Sequence, residues 1–507
     1  MSESFPVRRR KAVDAPQGAR QAIGMIDLRP VAQPIGRTVA TLGVAMLLPA
    51  AVDWWHGNPH WQAFLHSGVL TFVIGLLITV ATRGEDKSLN LQQAFLLTSG
   101  LWIAIPIFGT LPFILGQPHA SFTDAFFESM SGVTTTGTTV FETLDKLPMG
   151  THLWRAILHW IGGLGIVVVA MIFLPIMKVG GMQFFRSEGF DTLGKILPRA
   201  GEIAAEMTRI YLFLTGACIV TYLLLGMSGF DAVVQALGTV STGGFSNYDL
   251  SFGQFLGPIE WAASVFMILA TIPFIRMVQA MRGNFEPIWQ DKQIRAYLRW
   301  VFYCCALIVI YRLIDTRHEA EPLDVIRETV FNTISTFSGT GFFSTDVMSW
   351  GHLPFTLLFI GGLIGGCTGS TTCSVKVFRY LVLFQAVKAQ LKRMLSPHRV
   401  YPLRYEGRPL DQDVIDSVMA FFTLFMLTFG LLIVGLSLTG LHPRTALTAA
   451  WTAIANIGPI WGPEITANGS IAEFPESAKW MMIVGMYLGR LELVSVLVLF
   501  LPRFWRS

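Results

Sequence analysis

Nearly unbroken apolar stretches recur along the whole chain, at about 38–55, 65–82, 92–116, 153–177, 209–229, 258–280, 297–314, 353–387, 417–441 and 478–502. Most approach the roughly 20 residues that an α-helix needs to cross a bilayer. The pattern predicts ten crossings, with the eighth interrupted in its middle. A membrane β-barrel would instead show short segments of alternating polarity. The fold class is therefore an all-α polytopic membrane protein.

The polar positions give the orientation. Cytoplasmic loops carry an excess of Lys and Arg. With residues 1–37, 83–87, 178–204, 282–299, 388–412 and the last five placed inside, the inner segments hold 25 basic residues and the outer loops only 4. Both termini are then cytoplasmic. Arg8, Arg9, Arg10 and Lys11 read as a basic tail, with no cleavable leader after them.

Composition agrees with this class. Of 507 residues, 52% are hydrophobic and 14% charged, against roughly 25% charged in soluble chains. The net charge of +4 gives no reason to expect nucleic acid. Cys218, Cys304, Cys305, Cys367 and Cys373 all lie in or beside apolar spans and form no CxxC pair. They read as small buried residues rather than as metal ligands or disulfides.

Four of the outer loops share a plan. Each has a helix start, at Thr123-Asp124, Phe230-Asp231, Pro322-Leu323-Asp324 and His442-Pro443, then a helix too short to span. Each helix ends at a glycine in a small or polar run: Thr134-Thr135-Thr136-Gly137-Thr138, Val240-Ser241-Thr242-Gly243-Gly244-Phe245, Gly339-Thr340-Gly341-Phe342 and Ala455-Asn456-Ile457-Gly458-Pro459. Taking Gly137, Gly243, Gly341 and Gly458 as equivalent, the spacings are 106, 98 and 117 residues. This predicts a fourfold repeat of span, short helix, loop and span. The expected units are a basic tail (1–35), an N-terminal transmembrane hairpin (36–90), and repeats at 91–204, 205–295, 296–412 and 413–507.

Two crossings per repeat give all four repeats one orientation, so they can surround a common axis. Irregular backbone at membrane depth is tolerated where it is buried or lines a watery cavity. Four such loops supply a ring of carbonyls that can replace a cation's hydration shell. Glycine leaves the axis open, and the C-terminal ends of the short helices favour positive charge. No carboxylate belongs to the four runs, which suits a large monovalent cation.

Two further features lie below that ring. The eighth span contains Gly361-Gly362-Leu363-Ile364-Gly365-Gly366-Cys367-Thr368-Gly369-Ser370-Thr371-Thr372, a run that disfavours continuous helix. It reads as a mobile gate under the loops or, alternatively, as a small-residue packing face. Arg490 falls midway along the last span. It either faces the pore as a charge barrier or pairs with a carboxylate such as Glu492 on a helix contact. Lys376 and Arg379 are nearer the cytoplasmic end, where long side chains can reach the interface.

From about residue 36 onwards the sequence resembles the Trk/Ktr/HKT superfamily of cation transporters, and most closely the TrkH/TrkG type. The resemblance rests on Ser131-Gly-Val-Thr-Thr-Thr-Gly137, Ser241-Thr-Gly-Gly-Phe-Ser246, Gly365-Gly-Cys-Thr-Gly-Ser-Thr371 and Gly489-Arg-Leu-Glu492. The resemblance implies potassium uptake across the bacterial inner membrane. It implies a selectivity filter of Thr135, Thr136, Gly137, Ser241, Thr242, Gly243, Gly339, Thr340, Gly341, Asn456, Ile457 and Gly458. Potassium would be held through backbone oxygens of Thr136, Thr242, Thr340 and Ile457. Gly365, Gly366, Cys367, Thr368, Gly369, Ser370 and Thr371 would form the gating loop, and Arg490 the pore barrier. A homodimer with a cytosolic nucleotide-binding subunit of TrkA type is also implied, with potassium as substrate and no covalently bound cofactor. Two departures from the family pattern are Thr371-Thr372-Cys373-Ser374, where more glycine is usual, and the fourth loop, Asn456-Ile-Gly-Pro-Ile-Trp461, with a bulky residue where a small one is common.

Competing classes fit less well. A transporter of inverted-repeat type would show paired broken helices, whereas the repeats here read as parallel with one broken helix. An intramembrane metalloenzyme would need a ligand motif, and the nearest run, His318-Glu319-Ala-Glu-Pro322, lacks the second histidine.

Overall fold

The computed structural model describes residues 27–84, 89–182, 184, 200–315, 321–396, 401–466 and 468–506. The basic cluster Arg8–Lys11 and most of the inner loop expected at 178–204 lie outside these residues.

Among the described residues seven helices are long and apolar enough to cross a membrane: Arg29–Trp55, Trp61–Ala81, Leu91–Leu115, Met149–Phe173, Gly201–Leu224, Lys292–Asp315 and Gln412–Leu438. The first two form the N-terminal hairpin. Its helices touch through glycines, because a Cβ on Gly43 would stand 2.6 Å from the Gly68 carbonyl oxygen. Small residues allow this close approach where there is no hydrophobic drive between helices. Outward-facing leucines and valines, such as Leu77, Val80, Leu431 and Val434, are exposed, as a lipid-facing surface requires.

The remaining spans are broken. His352–Ile364 and Val377–Leu395 are separated by the expected interruption, with 365–376 wholly buried. The expectation of a single broken helix does not hold. Pro258–Thr271 and Phe274–Met281 meet at 101°, and Glu476–Arg490 and Val494–Phe500 at 103°. Pro273 explains the first bend. Proline lacks an N–H and pushes the residue before it into an extended conformation, and Ile272 has ψ 142°. At the second, Glu492 and Leu493 adopt φ of 57° and 50°, which turns Glu492 towards two buried cations.

The four short helices are Phe122–Val133, Gly229–Val240, Pro322–Ser338 and Pro443–Ala455. Two start slightly earlier than the sequence suggests. Ser121 Oγ accepts the Asp124 N–H at 3.2 Å, and Ser228 Oγ accepts that of Asp231 at 3.1 Å. These serine caps satisfy orphan donors of the first turn.

Candidate functional site

Each short helix ends on a residue in the left-handed region: Thr135 (φ 54°), Thr242 (φ 53°), Gly339 (φ 76°) and Asn456 (φ 53°). This common kink fixes the register of the four loops. Thr136, Gly243, Thr340 and Ile457 follow it, and then Gly137, Gly244, Gly341 and Gly458. A second pattern agrees. Ser131 Oγ donates to the Thr138 carbonyl at 2.6 Å, Ser335 to Phe342 at 2.7 Å and Thr452 to Pro459 at 2.7 Å, each across seven residues. The second loop has Gly238 at that place, facing Phe245. The equivalence assumed for Gly243 is therefore corrected, since Gly244 takes the register of Gly137. Likewise Gly243, not Thr242, corresponds to Thr136, Thr340 and Ile457. Two adjacent glycines hid the offset.

The four loops close on one another in a ring. A Cβ added to Gly137 would collide with the Gly243 carbonyl oxygen, and one on Gly244 with that of Thr340. One on Gly341 would stand 2.6 Å from the Gly458 nitrogen, and one on Gly458 stands 3.3 Å from the Thr136 oxygen. At Gly137, Gly244 and Gly341 glycine is thus required by the approach of the neighbouring loop. Side chains tie the ring between the first and fourth loops. Thr138 donates to the Gly458 carbonyl at 2.8 Å, and Asn456 Nδ2 donates to Thr136 Oγ1 at 3.0 Å. On one side the ring opens into a cavity of about 840 Å³, bordered by Gly137, Gly244, Gly341 and Gly458 and, further out, by Asp249, Asp346 and Arg444.

On the other side lies the interrupted span. Thr242 Oγ1 donates to Thr371 Oγ1 at 3.3 Å, which links the second loop to this segment. The segment is also held by the bent span 258–281 and by Gln293. Cys367 N–H reaches the Thr271 carbonyl at 3.2 Å, the Gly369 carbonyl accepts from Phe274 N–H at 2.9 Å, and Thr368 N–H reaches Gln293 Oε1 at 2.9 Å. The bend at Pro273 therefore has a function in the fold: it frees backbone groups that hold 367–371. Gly365 and Gly366 sit at the upstream end, packed on Cys373 and Thr372, and Ser370 Oγ donates to the Cys367 carbonyl at 2.7 Å.

Arg490 is buried beside the same segment. Its guanidinium donates to the Gly162 carbonyl at 2.8 Å and to that of Thr371 at 3.4 Å, and touches Cys373 Sγ. Among the described residues no carboxylate pairs with it. Glu492 binds Lys376 at 2.8 Å and also Arg379. Lys376 and Arg379 are 2% and 1% exposed, so the expectation that they reach the interface is wrong, because a buried carboxylate holds them.

Sequence reading missed a second buried pair. Glu128, in the first short helix, accepts from Arg155 Nε at 2.7 Å, from Thr139 Oγ1 at 3.0 Å and from Val140 N–H at 3.0 Å. Arg155 also donates to the Ser246 carbonyl at 2.8 Å. The pair thus bridges the exits of the first and second loops. The available signal was an ionisable residue inside a membrane-embedded helix, which is costly and marks a functional or packing role. All five cysteines are buried and unbonded. Among the described residues no three His, Cys, Asp or Glu side chains converge as metal ligands.

Known proteins share this architecture. Residues 60–310 and 321–507 match the family described as TrkH, cation transport protein. The chain is 37% identical to the Trk system potassium uptake protein TrkI of Halomonas elongata over 468 residues, 92% of this chain and 94% of that one. It is 35% identical to the Trk system potassium uptake protein TrkH of Vibrio parahaemolyticus, over 95% of this chain and 100% of the relative. The crystal structure of the potassium transporter TrkH from Vibrio parahaemolyticus superposes with a TM-score of 0.87 at 32% identity, covering 94% of this chain and 99% of that one. A helical membrane protein with this ring of loops, matched over nearly its whole length, belongs to the TrkH family of cation transport proteins and is a transporter, not an enzyme.

Proposed function

We propose that this chain takes up potassium ions across a bacterial inner membrane through the ring of four loops. The observation that carries the reading is the closed cycle of loop contacts, Gly137 on Gly243, Gly244 on Thr340, Gly341 on Gly458 and Gly458 on Thr136. Backbone oxygens of Thr136, Gly243, Thr340 and Ile457 take the place of hydration water, and the glycines after them leave room for the ion. The cavity beyond Gly137, Gly244, Gly341 and Gly458 is the entrance. The segment 365–371 is the gate below it, and Arg490 adds a positive charge to the barrier. The names of the relatives, Trk system potassium uptake proteins, support potassium as the substrate.

The functional unit is a pair of these chains, working with a cytosolic nucleotide-binding subunit that acts on the gate. Both termini lie on the cytoplasmic side, an orientation supported by the 25-to-4 bias of basic residues in the loops.

The test is uptake of labelled rubidium into proteoliposomes, with potassium or sodium as competitor. Gly458→Ser is the informative variant, because its Cβ meets nothing closer than 3.3 Å and the loop can survive it. Potassium should compete strongly and sodium weakly in the parent, and the variant should lose that difference. If potassium and sodium compete equally in the parent, the potassium reading fails.

A further inference from the structure

We infer that His159 is a specificity-determining positioning residue, which holds the second loop against the first and so sets the shape of the ring. The inference rests on the proposed uptake of potassium through that ring. His159 lies on the span Met149–Met177, whose imidazole is wholly buried. Its Nε2 accepts the Phe245 N–H at 3.2 Å, so Nδ1 carries the proton and donates to the Gly132 carbonyl at 2.7 Å. Gly132 is next to last in the first short helix, and Phe245 directly follows Gly244. One ring therefore joins the end of one short helix to the exit of the neighbouring loop.

The imidazole also backs the loop itself. A Cβ on Gly243 would collide with the His159 ring. The Gly243 carbonyl oxygen meanwhile abuts Gly137. Gly243 is held between the histidine behind it and the first loop in front, so a shift of the ring moves this carbonyl. Phe245 is clamped in the same way. The His159 ring lies 4.1 Å from its centroid on one side, and the Arg155 guanidinium stands 4.1 Å from it. Among the described residues no histidine holds the other three loops in this way, so His159 is specific to the contact between loops one and two. An ion filter discriminates by the positions and field of its carbonyls, and small displacements in such a site can have large effects on rate. His159 touches no passing ion and acts through Gly243.

Two substitutions separate positioning from mere filling of space. His159→Phe keeps the ring and the packing on Gly243 but loses both hydrogen bonds. His159→Gln can keep both, with its carbonyl accepting from Phe245 and its amide donating to Gly132. Rubidium uptake is measured with potassium and with sodium as competitor, on protein checked for a monodisperse size-exclusion profile. We expect His159→Phe to lose discrimination by about tenfold and His159→Gln to stay near the parent. If His159→Phe discriminates like the parent, or if His159→Gln loses as much as His159→Phe, the inference is wrong. Should His159→Phe fail to fold, His159→Asn replaces it, since the shorter amide can reach only one of the two partners, and the same two outcomes decide. Loss of preference in the parent itself would instead overturn the potassium reading.

Discussion

Lys376 Nζ donates to Glu492 Oε1 at 2.8 Å, with both side chains buried, and this bond joins the downstream end of the interrupted span to the break in the last helix. Arg379 binds the other oxygen of the same carboxylate and donates through Nε to the Gly180 carbonyl at 2.9 Å. One carboxylate therefore anchors two cations from the helix that carries the proposed gate. Leaving a buried charge without its partner costs about 3–5 kcal/mol. Glu492→Gln strands two such charges, whereas Lys376→Met strands none, because Arg379 still pairs. Thermal unfolding in detergent should show a much larger fall in midpoint for Glu492→Gln. Equal falls would mean that the carboxylate is not the anchor.

Arg490 differs from these cations because its partners are backbone carbonyls and a thiol. Its charge is not cancelled locally, and it stands beside Thr371 under the ring. A unit charge ~10 Å from a passing cation, at an effective dielectric constant of ~20, raises the ion's energy by about 1.7 kcal/mol. Removing it should raise rubidium influx on the order of tenfold. Arg490→Gln keeps donors for the Gly162 and Thr371 carbonyls and tests the charge alone, with Arg490→Lys as the control that retains it. Unchanged influx in Arg490→Gln would show that the charge does not limit passage.

The sequence makes some of this legible for physical reasons that can be named. Long apolar runs give the spans, and Asp124, Asp231, Pro322 and Pro443 mark the starts of the short helices to within a residue or two, because first-turn chemistry is local. The break at 365–376 is visible as glycine and hydroxyl residues in a row. The bend at 272–273 was also visible in principle, since Pro273 interrupts an apolar span. The bend at 491–493 was not, because Leu491 and Leu493 carry no breaking signal and the turn is imposed by Lys376 and Arg379, more than a hundred positions away. The register of the second loop depends on which of two adjacent glycines follows the kink at Thr242, a choice made by contact with the other loops.

That register has its own consequence. A methyl group on Gly244 would collide with the Thr340 carbonyl and require a side chain at φ 77°, whereas Gly458 has no positive φ and a nearest contact of 3.3 Å. Gly244→Ala should therefore abolish uptake or prevent accumulation of folded protein. Gly458→Ala should fold and conduct, with reduced preference for potassium over sodium. Folded yield by size exclusion and rubidium uptake measure the two effects. Normal uptake by Gly244→Ala would show that the second loop does not stand in the register of Gly137.

The pair of Glu128 and Arg155 offers a prediction that depends on the difference between breaking an ion pair and removing it. Both groups are essentially unexposed, at 0% and 1%. Arg155→Met leaves the Glu128 carboxyl buried without its cation, with only the Thr139 hydroxyl and the Val140 N–H beside it, and should cost about 3–5 kcal/mol. Glu128→Gln strands Arg155, whose remaining hydrogen bond is to the Ser246 carbonyl, at a similar cost. The double variant Glu128→Gln/Arg155→Met strands neither charge, so it should be more stable than either single variant. A double-mutant cycle on thermal unfolding measures this coupling. The bridge from Val140 to Ser246 is still lost in the double variant, so its recovered stability should come with weakened discrimination between potassium and sodium. If the two single losses simply add, the residues act independently and the bridge between the first two loops has no energetic content.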